Sequence, residues 1–210
     1  NAFINYHGIA RVEIFETLLE IPNLFKNKKR SKSKRVGIVT TTGGGGAMVV
    51  ESLSGSDIEI IDPGLSIKKI MQDNNIAFNN NKLVDLTIAG TKPEIVNEVI
   101  SQMMKNENCD LVVMVVGSSA KFRPEQAVEP LLKWANYPKP LAVYVAPDAP
   151  EALNLLQQNN IACFRTPESC AESVKTFLNT KNPIKPIILK NDLSDISKKL
   201  KKNICKNLSE

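Results

Sequence analysis

Apolar residues along the chain fall into short runs separated by polar turns, and the runs are of two alternating kinds. Val36-Gly37-Ile38-Val39-Thr40, Ile58-Glu59-Ile60-Ile61, Leu111 to Val116, Pro140 to Val145 and Ile161 to Phe164 are brief and rich in β-branched residues. That pattern predicts strands. Leu111 to Val116 has no polar position at all, which implies burial on both faces. Between them, Ala47 to Leu53, Pro93 to Lys105, Pro124 to Trp134, Pro150 to Gln158 and Pro167 to Leu178 read as helices. Four of these open with proline, which is tolerated in a first turn because its missing N–H has no helical acceptor there. Five strands alternating with helices predict an α/β fold, a parallel five-stranded sheet with helices on both faces.

The ends of the chain read differently. Arg11 to Phe25 carries Val12, Phe15, Leu18 and Leu19 at helical spacing, limited by Pro22. Lys26 to Lys34 has no apolar periodicity and reads as a linker or exposed arm. Residues 1–34 are therefore expected to be an N-terminal bridging helix with a basic linker, 35–180 the sheet domain, and 181–210 a linker and tail leading to a missing domain. Pro183 and Pro186 open that tail, which is rich in lysine. Asn1-Ala2 resembles the remnant of a cleaved tag, so the chain is expected to be a domain excised from a longer protein.

Composition narrows the class. With 42% apolar and 23% charged among 210 residues, the chain is globular rather than disordered. No apolar run approaches the length of a membrane helix, and no membrane contact is expected. The formal charge of +5 is concentrated at the Lys26 to Arg35 stretch and at Lys198, Lys199, Lys201, Lys202 and Lys206. Aromatics are 5% and avoid both clusters, so the interleaving expected of a nucleic-acid surface is missing. Cys109, Cys163, Cys170 and Cys205 form no C-x-x-C pair, and His7 is the single histidine. No metal site is expected, and reduced thiols in a cytoplasmic protein are the plain reading.

Ligands of such sheets bind at the carboxyl ends of the strands. The residues there are Thr41, Thr42, Gly43, Gly44, Gly45 and Gly46 after the first strand and Gly117, Ser118, Ser119 and Ala120 after the central one. Pro147-Asp148-Ala149 and Arg165-Thr166-Pro167 follow the last two. Four glycines between a strand and a helix beginning near Gly45 or Gly46 expose backbone N–H groups at a positive dipole end. An anion is favoured at such a place, with threonine hydroxyls as further donors. A phosphoryl group or a carboxylate is the expected ligand. No Lys-Ser/Thr follows the glycines, so this is not a P-loop. Glu59 and Asp62 keep a dinucleotide fold as a rival, and close packing alone is the plainer account of the glycines.

Several tracts carry a family resemblance. Arg35 to Leu53 (RVGIVTTTGGGGAMVVESL), Val84-Asp85-Leu86-Thr87, Cys109 to Leu131 (CDLVVMVVGSSAKFRPEQAVEPL), Lys139-Pro140-Leu141-Ala142, Ala149 to Leu153 and Ile161 to Val174 (IACFRTPESCAESV) are similar to one domain type. It is the C-terminal flavodoxin-like CoA-ligase domain of nucleoside-diphosphate-forming acyl-CoA synthetases, the ADP-forming acetyl-CoA synthetase and succinyl-CoA synthetase group. Gly8-Ile9-Ala10-Arg11-Val12 resembles the segment that joins the preceding family domain. The chain departs from the family at Lys82-Leu83-Val84-Asp85, where Asn-Pro-x-Asp is usual. It departs again at Thr41-Thr42-Gly43, where an asparagine is usual, and it lacks the relay Ser-His-Thr/Ser-Gly motif.

The resemblance implies a ligase in which ATP phosphorylates a histidine on a mobile loop, the phosphoryl group passes to a carboxylic acid, and CoA attacks the acyl phosphate. Gly43 to Gly46 would open one of two helices that hold the phosphohistidine; Gly117, Ser118, Ser119 and Ala120 would lie at the acyl substrate. No cofactor is expected on this domain alone, and the full enzyme would use ATP, Mg²⁺ and CoA. The implied partners are the CoA-binding and ATP-grasp domains or subunits, a small carboxylic acid, and an oligomeric assembly. The isolated chain is expected to be inactive. A bulky residue at Gly44 or Gly45 is expected to stop turnover with the fold intact. The alternative is a degenerate, acyl-CoA-sensing domain of a protein lysine acetyltransferase.

Overall fold

A computed structural model describes residues 2–26, 28–31, 33–78 and 82–182. The expectations for the tail beyond residue 182, Cys205 included, lie outside the described residues. In chain order the elements are α1 (Ala2–Tyr6), α2 (Phe15–Glu20), α3 (Pro22–Phe25), β1 (Arg35–Thr40), α4 (Gly43–Leu53), β2 (Glu59–Ile60), α5 (Leu65–Asp73) and β3 (Leu83–Asp85). A 3₁₀ turn (Thr87–Thr91) leads to α6 (Pro93–Lys105), β4 (Leu111–Val116), α7 (Ser119–Phe122), α8 (Pro124–Leu132), β5 (Leu141–Val145), α9 (Pro150–Gln158), β6 (Ala162–Phe164) and α10 (Pro167–Asn179).

All strand pairs are parallel, in the order β2-β1-β4-β5-β6, with β3 also on β1. The sheet has six strands where five were expected, because one edge position is shared. Arg35 and Val36 pair with β2, whereas Ile38, Val39 and Thr40 pair with Leu83, Val84 and Asp85 of β3. The chain leaves the sheet after β2 at Asp62-Pro63-Gly64. Proline has no N–H for the ladder, and Gly64 adopts φ +86 with its N–H on Asp62 Oδ1 at 2.8 Å. α5 and β3 fill a stretch for which the sequence reading had no element. Counting β2 and β3 as one strand, the order is the doubly wound 2-1-3-4-5 arrangement.

Period-two alternation sends successive residues to opposite cores. Val36, Ile38, Leu111, Val113 and Val115 face the layer of α3, α4 and α10, whereas Val39, Val112, Met114 and Val116 face α5, α6, α8 and α9. Two N-terminal expectations change. The predicted helix over 11–25 is broken into α2 and α3, and its Phe15, Leu18 and Leu19 point outward. The basic stretch is fastened rather than free. Lys28 Nζ donates to the carbonyls of Ala135 and Tyr137, Lys29 N–H to Pro138 O at 2.8 Å, and Arg30 to Thr180 O at 2.9 Å. Lys34 pairs with Asp57. None of the described helices is long and apolar enough to cross a membrane.

Candidate functional site: the carboxyl ends of β1 and β4

The strand order reverses between β1 and β4, so their carboxyl ends flank the crevice where doubly wound sheets bind ligands. The two loops predicted from sequence meet there. Thr41 N–H donates to Val115 O at 2.9 Å, and Gly117 N–H donates to Thr41 Oγ1 at 2.9 Å. Thr40, fully buried, holds the turn from below: its Oγ1 accepts from Thr42 N–H at 3.0 Å and donates to Thr42 O at 2.6 Å. The Thr41 hydroxyl is thus engaged by Gly117, and Thr42 stands at the helix N-cap without capping any N–H through its side chain.

The glycines are not a loop before the helix but its first turn, since α4 starts at Gly43. Gly46 N–H makes the first helical bond, to Thr42 O at 3.0 Å. The N–H groups of Gly43, Gly44 and Gly45 precede it and have no intrahelical acceptor. Among the described residues no side-chain hydrogen bond caps them, Thr42 at the N-cap included. The four positions are not equivalent. A Cβ on Gly46 would stand 2.8 Å from Thr40 Cγ2, and one on Gly45 would stand 3.0 Å from Val115 Cγ1. Gly45 and Gly46 are therefore demanded by close packing of α4 on the sheet. Gly44 is exposed and a Cβ there would meet nothing within 4 Å. The expectation that bulk at Gly45 would spare the fold is corrected for that reason, and Gly44 alone offers a substitution free of packing.

Asp85 is the residue that the sequence reading did not place in the site. β3 ends on it in register with Thr40. Its Oδ1 accepts Thr87 N–H at 2.9 Å, and its Oδ2 lies 2.7 Å from where a Cβ of Gly43 would be. A carboxylate therefore sits beside the uncapped helix N-terminus, where the dipole favours negative charge. The signal for it was the short run Leu83-Val84 before an aspartate that turns the chain, hidden because one strand position is split between distant segments. Gly90 was missed as well. A Cβ there would come within 2.3 Å of Thr41 Cγ2, so the turn after β3 packs directly on the threonine.

Of the second predicted group, Gly117 and Ala120 are buried, Ser118 is exposed and Ser119 is half-buried. With Gly90, Thr91, Phe122 and Arg123 they line a hollow of about 390 Å³. A smaller one of about 200 Å³ is lined by Gly43, Leu83, Asp85 and Thr87 among others. The residues of the dinucleotide rival do not gather here. β2 pairs with the amino-terminal half of β1, and Asp62 is committed to Gly64 N–H and to Lys68 Nζ at 2.7 Å.

The buried thiols take no part in the crevice. Burial pushes the Cys163 thiol up to about 12 and raises Cys109 and Cys170 as well.

Solved structures share this fold. PH0766 from Pyrococcus horikoshii OT3 matches with a TM-score of 0.73 at 18% identity, over 85% of this chain and 42% of that one. The dinucleotide forming Acetyl-coenzyme A synthetase 1 of Ca. Korarchaeum cryptofilum, in complex with phosphate and ADP, matches with a TM-score of 0.67 at 19% identity, over 82% of this chain and 38% of that one. Its apo form gives 0.69 at 18% identity, over 85% and 40%. The fold is theirs. At such identities the likeness establishes the α/β architecture, and the chain spans less than half the length of each of these proteins. No protein-family model matches the sequence, and a search of curated proteins finds no match.

Proposed function

We propose that the chain is a domain of an ATP-dependent, ADP-forming acyl-CoA synthetase and that the first turn of α4 receives the phosphoryl group in transit. The observation that carries this reading is the uncapped glycine N-terminus of an 11-residue helix at the switch point of the sheet. Its three N–H groups and the positive end of the helix dipole stabilise an anion without any cationic side chain. The fold shared with an acetyl-coenzyme A synthetase supports the same assignment.

In this reading a phosphohistidine enters from another domain with its phosphoryl oxygens on Gly43, Gly44 and Gly45 N–H. The Asp85 carboxylate faces the imidazole and accepts its ring N–H, keeping the phosphorylated ring protonated so that neutral imidazole leaves with the electron pair of the P–N bond. The phosphorus passes to a carboxylate oxygen of the acid, giving an acyl phosphate. The CoA thiol, on losing its proton, then attacks the carbonyl carbon and expels inorganic phosphate. Ser118 and Ser119 border the hollow in which the acid would lie. The domain contributes oriented donors rather than a nucleophile, which is electrostatic catalysis. Partners in this scheme are the CoA-binding and ATP-grasp parts of the enzyme, and ATP, Mg²⁺ and CoA are its substrates and ion.

The test is made on the complete enzyme. Incubation with γ-labelled ATP and Mg²⁺ is expected to give an acid-labile, alkali-stable protein phosphate that is discharged by the cognate acid plus CoA. Folded protein that takes no label would overturn the ligase assignment.

A further inference from the structure

α2 is inverted for a helix packed on a domain, and its attachment is mostly polar. Phe15, Leu18 and Leu19 are exposed, and the two residues that α2 buries are Thr17 and Glu20. Residues 11–20 run antiparallel to α10 and meet it through hydrogen bonds. Thr176 Oγ1 donates to Arg11 O at 3.4 Å, and the Glu172 carboxylate accepts the N–H groups of Glu13 at 2.6 Å and Ile14 at 3.1 Å. Ser169 Oγ and Arg165 Nη1 donate to the Glu20 carboxylate, both at 2.8 Å. Of the apolar side chains in this stretch only Val12, half-buried, packs against the core.

Two features weaken this attachment. Thr17 lies one turn before Glu20 and Ser173 one turn after Ser169, so the antiparallel register sets their side chains across from one another. Both are fully buried, and neither hydroxyl has a hydrogen-bond partner among the described residues. A hydroxyl buried unpaired charges its desolvation to the docked state. Gly8, Ile9 and Arg11 also share with Thr176 and Asn179 the walls of a hollow of about 450 Å³, so the stretch is loosely seated at its start. Its other end is sharply defined. Pro22 has no N–H to continue α2, and from Ile21 and Leu24 onward the chain is anchored in the core. Undocked, a six-residue helix is well below the ~12–15 residues that a helix needs to persist alone in water. Little apolar surface is uncovered when such a stretch leaves, and segments with few buried apolar contacts open first.

We propose that residues 11–20 are a releasable strap, hinged at Ile21-Pro22, that lifts from α10 and unwinds while the sheet domain stays folded. Docked, the strap commits the Arg165 guanidinium to Glu20. Lifted, it leaves that cation unpaired just after β6, at the carboxyl edge of the sheet on which the candidate site opens. The proposal is independent of the ligase assignment.

The test is hydrogen exchange of the folded full chain in a series of low urea concentrations, read by NMR. The N–H groups of residues 13–21, among them Ile21 N–H on Thr17 O at 2.9 Å, are expected to exchange through an opening almost independent of urea. Those of β4 are expected to exchange only by global unfolding, with a steep dependence. Ile100→Val, in the opposite layer, is expected to speed exchange in β4 several-fold and to leave residues 13–21 unchanged. Glu20→Gln is expected to speed exchange of residues 13–21 by roughly tenfold, because hydrogen bonds to a charged group are lost. Thr17→Val, which removes an orphaned hydroxyl at constant shape, is expected to slow it. Equal urea dependence in the two groups of amides, or Ile100→Val moving both alike, would overturn the proposal, as would residues 13–21 indifferent to Glu20→Gln.

Discussion

Gly44 and Gly46, two residues apart in one helical turn, should respond in opposite directions to the same substitution. Alanine at Gly44 adds a methyl with nothing within 4 Å. It removes a residue that costs a helix roughly 0.5–1 kcal/mol relative to alanine. Alanine at Gly46 gains the same propensity but places Cβ 2.8 Å from Thr40 Cγ2, 3.1 Å from Thr40 Cβ and 3.2 Å from Leu83 Cδ1. Thr40 cannot rotate aside without giving up its bonds to Thr42 N–H and O. Overpacking at such a site costs about 1–3 kcal/mol, so the net loss is about 1–2 kcal/mol. At roughly 2–4 °C per kcal/mol for a chain of this size, thermal unfolding should show Gly44→Ala up by about 1–4 °C and Gly46→Ala down by about 2–8 °C. A Gly46→Ala protein as stable as the parent, or a destabilised Gly44→Ala protein, would refute the argument that packing demands one glycine and leaves the other free. Because Gly44→Ala should fold, it is also the variant in which lost phosphate binding can be read without a folding artefact.

Three further outcomes follow from the same structure. Asp85→Asn removes the negative charge beside the helix N-terminus; two unit charges at 4 Å interact by about 1 kcal/mol in water, so inorganic phosphate should bind the variant several-fold more tightly in an amide-shift titration. Unchanged or weaker binding would place the anion elsewhere. Burial alone would raise the Asp110 carboxyl, but hydrogen bonds from the Arg35 side chain and N–H outweigh it and hold the group below the usual carboxylate range. A depressed acid stabilises the fold above its unfolded value, about 3.9, and loses that contribution as pH falls through its folded value. Stability should therefore drop from about pH 4 downward more steeply in the parent than in Asp110→Asn; parallel curves in a pH series of urea melts would contradict this. The raised, buried thiols of Cys109, Cys163 and Cys170 should resist alkylation at pH 8 in the folded protein and react only after denaturation, as peptide mapping would report.

The proposed ligase role and the fold contribute different information about the crevice. The resemblance of tracts such as Ile161 to Val174 only suggests a chemistry to test, whereas the geometry of Gly43 to Gly46 separates two glycines needed for packing from one that faces solvent. What supports the proposed phosphoryl site is the uncapped first turn of α4, not the glycine count.

Much of the architecture was determined locally. β1, β4 and β5 are short β-branched runs buried on both faces, and α6, α8, α9 and α10 begin at prolines whose fixed φ suits a first turn, so their periodicity and punctuation were readable residue by residue. The meeting of the Thr41 and Gly117 loops followed from strand alternation alone. What only tertiary structure decided depends on contacts distant in sequence. β3 exists because three residues, Leu83 to Asp85, complete an edge that β2 abandons after pairing with Arg35 and Val36. Asp85 consequently arrives at Gly43 from more than forty positions away. The outward turn of Phe15, Leu18 and Leu19 contradicts their helical spacing, because a buried carboxylate bound by Arg165 and Ser169 sets the rotation of α2. Periodicity reports which residues share a face; which way that face points is set by the strongest polar partner across the fold.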